Sequence, residues 1–72
     1  SYDDEDEEYE MCREFVIQAQ KASTSLLQRK FRIGYNKAAR IIDRLEEEGV
    51  IGPQLGSKPR EVFIRQYHEE DL

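Results

Sequence analysis

The 72-residue chain holds one cysteine, Cys12, so no internal disulfide can form and a disulfide-stapled secreted mini-protein is excluded. Cys12 and the lone His68 are its only soft metal ligands, too few for a zinc site, so neither a metal nor a cofactor is expected. No apolar run approaches the roughly 20 residues that cross a bilayer. The N-terminus is acidic, where a secretory leader would be basic and then apolar. No Gly-rich phosphate-binding loop occurs, and the serines have no base at useful spacing, so the chain is expected not to be an enzyme. A domain this small buries only about 60% of the surface its unfolded chain exposes, which leaves no room for a deep catalytic cleft. A start at Ser1 suggests a piece of a longer protein, and a cytoplasmic setting is expected.

What is present is charge, unevenly placed. The net charge is −5. Residues 1–10 carry seven acids and no base, and residues 69–72 carry three acids and no base. All 11 lysines and arginines therefore fall in 11–68, which is net +5. Within 21–44 stand Lys21, Arg29, Lys30, Arg32, Lys37, Arg40 and Arg44 against a single acid, Asp43. A basic centre between acidic ends points to nucleic acid; a solvated mixed-charge surface is the plainer alternative.

The pattern divides the chain into a flexible, self-repelling acidic tail at 1–6, one folded domain at 7–66 and an acidic tail at 67–72. From about Glu7 to Gln20, Cys12, Phe15, Val16 and Ala19 form one apolar stripe at helical spacing. Ser23 or Ser25 can cap the next helix, and Ser25 with Gln28 has capping-box spacing. That short helix runs to about Phe31, burying Leu26, Leu27 and Phe31. Arg32-Ile33-Gly34 reads as a tight turn, with Gly34 supplying a backbone angle other residues resist. A third helix from about Tyr35 to Glu48 gathers Ala38, Ile41, Ile42 and Leu45 on one side, with Asn36, Lys37, Arg40 and Arg44 on a different arc. Gly49 ends it as a left-handed cap. Residues 50–65 read as a β-hairpin around a Gly/Ser/Pro tip, with Val62 and Ile64 on one face of its second strand.

This order defines the expected fold class: α+β, mainly α, a winged helix-turn-helix of three helices plus a β-hairpin wing. The B-DNA major groove, about 12 Å wide, admits one α-helix, and the third helix combines an apolar underside with a polar outer arc. Asn36 suits adenine, and Arg40 or Lys37 guanine. Arg29, Lys30, Arg32 and Arg44 suit phosphates, Lys58 and Arg60 lie at the wing tip, and Ser23, Thr24 and Ser25 start a helix where free amides can hold a phosphate. Tyr35, at the start of the third helix, completes the candidate DNA-binding set. Each residue also has a plainer reading: Arg40 and Arg44 can pair with Glu47 or Glu48 across helical turns, Asn36 can be a helix-start residue, and Lys58 an ordinary loop lysine. The acidic residues 3–10 can compete with DNA for the basic helix.

The segment KASTSLLQRKFRIGYNKAARIIDRLEEEGVIGPQLGSKPREV, Lys21 to Val62, resembles almost throughout the gamma domain of the FtsK/SpoIIIE family of DNA translocases. Its FRIGYNKAAR stretch followed by GP and GSKPREV is far more specific than a generic helix-turn-helix. The resemblance implies a winged helix tethered to a hexameric, membrane-anchored ATPase motor, reading short polarised chromosomal motifs in double-stranded DNA. It also implies contact with a tyrosine recombinase, at positions that match Asn36, Arg40 and Asp43. Family recognition-helix positions match Asn36, Lys37 and Arg40; Lys37 stands where relatives often carry arginine, which preserves charge but changes bidentate contact. Motor function does not carry over. The setting implied is a cytoplasmic domain of a bacterial inner-membrane protein at the division septum, with no membrane contact of its own. A stand-alone winged-helix transcription regulator is the further alternative.

Overall fold

Ala38, Ile41, Ile42 and Leu45 recur at the helical period, and burial of that stripe fixes the third helix, α3, at Tyr35–Glu47 in a computed structural model that describes residues 2–66. Only the backbone of residues 2 and 3 is described. The expected tail at 67–72, and His68 within it, lie outside the described residues.

Two further helices precede it, α1 at Tyr2–Ala19 and α2 at Thr24–Phe31. Helix α1 begins at Tyr2, five residues before the start that the apolar stripe predicts. Those five positions carry no apolar repeat. They are rich in carboxylates instead, which the positive end of the helix dipole stabilises. The stripe itself extends one turn further than expected: Tyr9, Cys12 and Val16 are fully buried, while Phe15 is half-buried and meets Phe31 edge-on at 5.7 Å. Burial pushes the Cys12 thiol up to about 11, so it packs as a small hydrophobe.

Of the two candidate caps for α2, Ser23 is the one used. Its backbone is extended and its hydroxyl accepts from the Leu26 N–H at 3.1 Å. Leu27 is fully buried, whereas Leu26 and Phe31 are half-buried. The tight turn departs from expectation. Arg32, not Gly34, adopts the left-handed conformation (φ 54°, ψ 48°), and Gly34 is extended (φ −76°, ψ 167°) as the N-cap of α3. The reason is positional: α2 closes with a left-handed C-cap, and Arg32 is the residue that falls there.

Gly49 does take the left-handed angle expected of it (φ 76°). Its N–H bonds the Glu46 carbonyl at 3.0 Å and the Val50 N–H bonds the Leu45 carbonyl at 2.9 Å, the two bonds of a Schellman motif. Val50 and Leu45 are both buried, so the same turn delivers the chain into the core.

The hairpin that follows is antiparallel but sparse. Ile51 pairs with Val62 and Leu55 with Lys58, and among the described residues these are isolated bridges rather than continuous strands. Pro53 and Pro59 lie between the two bridges, and proline has no N–H to give a ladder. The Gln54 amide substitutes, donating to the carbonyls of Gly56 (2.8 Å) and Lys58 (3.3 Å). Val62 and Ile64 pack on the core while Phe63 faces out, as the alternation predicts. Gln20, itself left-handed at the end of α1, bonds both Ile17 and Ile64 carbonyls and ties α1 to the chain leaving the hairpin. The result is three helices and, in the place of a wing, a sparsely bridged antiparallel segment around one core, a small winged-helix-like α+β domain.

Candidate nucleic-acid interface

The buried stripe of α3 leaves an opposite arc in solvent, and the two flanks between them are claimed by the rest of the fold. At about 100° per residue, Asn36 and Arg40 lie near the centre of the solvent arc, one turn apart. Both are exposed, and among the described residues neither side chain makes a hydrogen bond or ion pair. Asp43 and Glu47 continue the same arc toward the C-terminus and are also exposed. The outer face is therefore amide and cation in its first half and acidic in its second. Only the N-terminal half of this face has charge complementary to a polyanion.

One flank is held by α1. Lys37 Nζ lies 3.1 Å from Glu8 Oε1. Arg44 is engaged more fully: Nε donates to Glu48 Oε2 at 2.9 Å, Nη1 reaches Asp6 Oδ1 at 3.3 Å, and the guanidinium sits 3.8 Å from the Tyr9 ring centroid. Glu48 also accepts from the Tyr9 hydroxyl at 2.9 Å. The hydrogen bond from Arg44, then that from Tyr9, holds the Glu48 carboxyl below its ordinary range. The hydrogen bond to Glu48 chiefly raises Arg44, while burial, and then its own hydrogen bond to Glu48, raises the Tyr9 phenol.

The other flank is held by the wing. Arg60 is only 15% exposed at its side chain and bonds Glu46 Oε1 at 2.8 Å and the Gly52 carbonyl at 3.2 Å. Lys58, at the wing tip, is exposed.

The nine candidate residues thus separate. Arg29, Arg32, Tyr35, Asn36, Arg40 and Lys58 are open to solvent, and among the described residues none of their side chains is engaged. Lys37, Arg44 and Arg60 are cations already engaged by Glu8, Asp6, Glu48 and Glu46. Asp43, the third candidate recombinase contact, is exposed one turn beyond Arg40 and its neighbour Asn36. Lys30, read for phosphate, lies 5.5 Å from the Phe15 ring. The plainer reading of Arg44 is realised in part, since its i,i+4 pair with Glu48 forms. Tyr9 escaped the sequence reading because acids surround it, although its place three residues before Cys12 continues the apolar stripe. The strut role of Arg60 left no local signal, since its partner Glu46 is 14 residues away.

A capped short helix, a left-handed turn, a longer helix with an open polar arc and a clamped basic hairpin define a winged-helix-like module. The chain belongs to the FtsK gamma domain family, whose model matches residues 3–65. It is 56% identical over 68 residues to the DNA translocase FtsK of Lactiplantibacillus plantarum, covering 94% of this chain and 9% of that protein. It is 59% identical over 66 residues to the DNA translocase FtsK of Staphylococcus aureus, with 92% and 8% covered. Against the DNA translocase FtsK of Listeria monocytogenes it is 59% identical over 59 residues, with 82% and 8% covered. The chain thus spans less than a tenth of the length of these relatives. Among the described residues, no helix is long and apolar enough to cross a membrane.

Proposed function

We propose that this domain is the sequence-reading, double-stranded DNA-binding module of a chromosome translocase, recognising short polarised motifs that orient DNA pumping during chromosome segregation and cell division. The observation that carries the reading is the open pair Asn36 and Arg40, one turn apart at the start of α3, with Lys58 exposed on the adjoining wing. Asn36 and Arg40 read base edges, where an amide matches adenine and a guanidinium matches guanine. Arg29, Arg32 and Lys58 hold phosphates, and Tyr35 packs beside them at the groove edge. Lys37 joins them once Glu8 lets it go. Arg44 and Arg60 spend some of their N–H donors on the fold and turn the remainder to the backbone. Ser23, Thr24 and Ser25, at the start of α2, offer a further phosphate contact.

Membership of a family whose relatives are named DNA translocases supports placing the module beside a hexameric, membrane-anchored motor of the same parent chain at the septum. One such unit covers a modest interface, so several tethered copies raise the effective concentration at a site. The test is selection of bound duplexes from a random pool, followed by strand-orientation analysis. Enrichment of an asymmetric site is expected; a pool that stays random would remove the reading.

A second reading is favoured by one feature. The carboxylate of Asp43 lies on the same exposed arc as Asn36 and Arg40, where it repels DNA but suits a basic protein surface. That arc is the candidate surface for docking a tyrosine recombinase. Under this reading Asp43→Ala weakens recombinase activation while DNA affinity stays the same or rises slightly, because a carboxylate that repels phosphate is removed.

A further inference from the structure

Seven acids and no base occupy residues 1–10, yet this stretch is not remote from the DNA-binding surface. Helix α1 carries Glu5, Asp6 and Glu8 along the flank of α3. Glu8 takes Lys37 at 3.1 Å, Asp6 takes Arg44 at 3.3 Å, and Glu5 and Glu8 line one shallow pocket with Lys37, Arg40 and Arg44. The carboxylates therefore stand where phosphate oxygens of a bound duplex would approach this flank. All the paired groups are 31–49% exposed, so the contacts are reversible and screened by salt.

We propose that Glu5 and Glu8 are specificity-determining residues: an intramolecular competitor for the DNA backbone that suppresses sequence-independent binding. This rests on the DNA-reading function above. The physics is a difference between two modes. Non-specific binding is almost entirely cation-to-phosphate attraction and loses the full contribution of any cation already neutralised. Specific binding adds base-edge contacts from Asn36 and Arg40, which the acids of α1 do not occupy, and so can displace Glu8 from Lys37 at the correct site. The competitor lowers both affinities but takes the larger share from the unwanted one. Glu7 and Glu10 lie on the outward side of the same helix and are exposed, so they raise the negative charge without meeting α3.

The experiment compares the intact chain with Glu5→Gln/Glu8→Gln and with Glu7→Gln/Glu10→Gln, which change net charge equally. Kd is measured by fluorescence anisotropy for a random-sequence duplex and for the duplex enriched in the selection above, at 50 and 200 mM salt. Circular dichroism melts check that each variant is folded. Glu5→Gln/Glu8→Gln should bind the random duplex about three- to tenfold more tightly at low salt and gain less on the enriched duplex. The gain should shrink at high salt and vanish when Lys37→Gln is added. Glu7→Gln/Glu10→Gln should gain less than half as much. Equal gains from both pairs would show bulk charge alone and overturn the proposal, as would a gain that survives Lys37→Gln. Binding by the intact chain with no gain in the variant overturns the competitor and leaves DNA reading standing. Absence of binding by every form overturns both.

Discussion

The Arg44 guanidinium sits 3.8 Å from the centre of the Tyr9 ring and bonds Glu48, which in turn accepts from the Tyr9 hydroxyl. Two residues 35 positions apart thus close a three-member cycle that fastens the acidic end of α1 to the end of α3. A second strut, Arg60 to Glu46, fastens the wing to the same helix. Arg40, one turn before Arg44, has no such role. The two arginines should therefore respond differently. Arg44→Ala lowers Tm by a few degrees, read by thermal melting, whereas Arg40→Ala leaves Tm unchanged. Tyr9→Phe keeps the ring and removes only the hydrogen bond, so it should cost about 0.5–1.5 kcal/mol. A Tm unchanged by Arg44→Ala would show that the cycle contributes nothing.

The left-handed turn gives a prediction of opposite signs. Arg32 holds φ 54°, a conformation that costs a non-glycine residue roughly 1–2 kcal/mol. Arg32→Gly should raise stability by about 1 kcal/mol and still weaken DNA binding through the lost cation, measured by urea denaturation and anisotropy on one preparation. Gly34→Ser should be neutral or stabilising by a few tenths of a kcal/mol, because its φ is ordinary and a Cβ there meets nothing within 4 Å. Gly49→Ala, at φ 76°, should lose about 1 kcal/mol. A loss at Gly34 as large as that at Gly49 would contradict the assignment.

Glu48 gives the pH dependence. Its carboxyl is held below the ordinary value of 4.5 by the hydrogen bonds from Arg44 and Tyr9. A group whose folded pKa is lowered binds fewer protons in the folded than in the unfolded chain. Its contribution to stability is present above the ordinary value and is lost as pH falls through the folded one. Stability should therefore drop on acidification below about pH 4.5, and Glu48→Gln should flatten that part of the profile while lowering stability at pH 7. Denaturation midpoints across pH 3–7 measure both. An identical profile for Glu48→Gln would place the acid sensitivity elsewhere.

The contrast between these residues explains what the sequence could disclose. The buried stripes of α3, its Gly49 stop and the alternation of Val62, Phe63 and Ile64 were legible because helix and strand periods are local. The left-handed residue of the turn is not legible from Gly34, because glycine tolerates such an angle without requiring one, while the cap position that imposes it depends on where α2 ends. The first turns of α1 leave no pattern in the sequence because charge carries no period; they are placed by ion pairs to α3 as well as by the apolar stripe. The candidate site was legible as a set of residue types. Which cations are free was not, because Glu8, Asp6 and Glu46 reach their partners from separate elements, 29, 38 and 14 residues away.

In the proposed function, the open first half of α3, with the wing tip, grips DNA through charge and reads it through Asn36 and Arg40. The most direct measurement is the affinity for the enriched duplex across a salt series, for the intact chain and for Arg40→Ala. With about six phosphate contacts, log K should fall against log salt with a slope of about −5, and Arg40→Ala should weaken binding about 10- to 100-fold with no change in Tm. An affinity indifferent to salt, or one that Arg40→Ala leaves untouched, would contradict it.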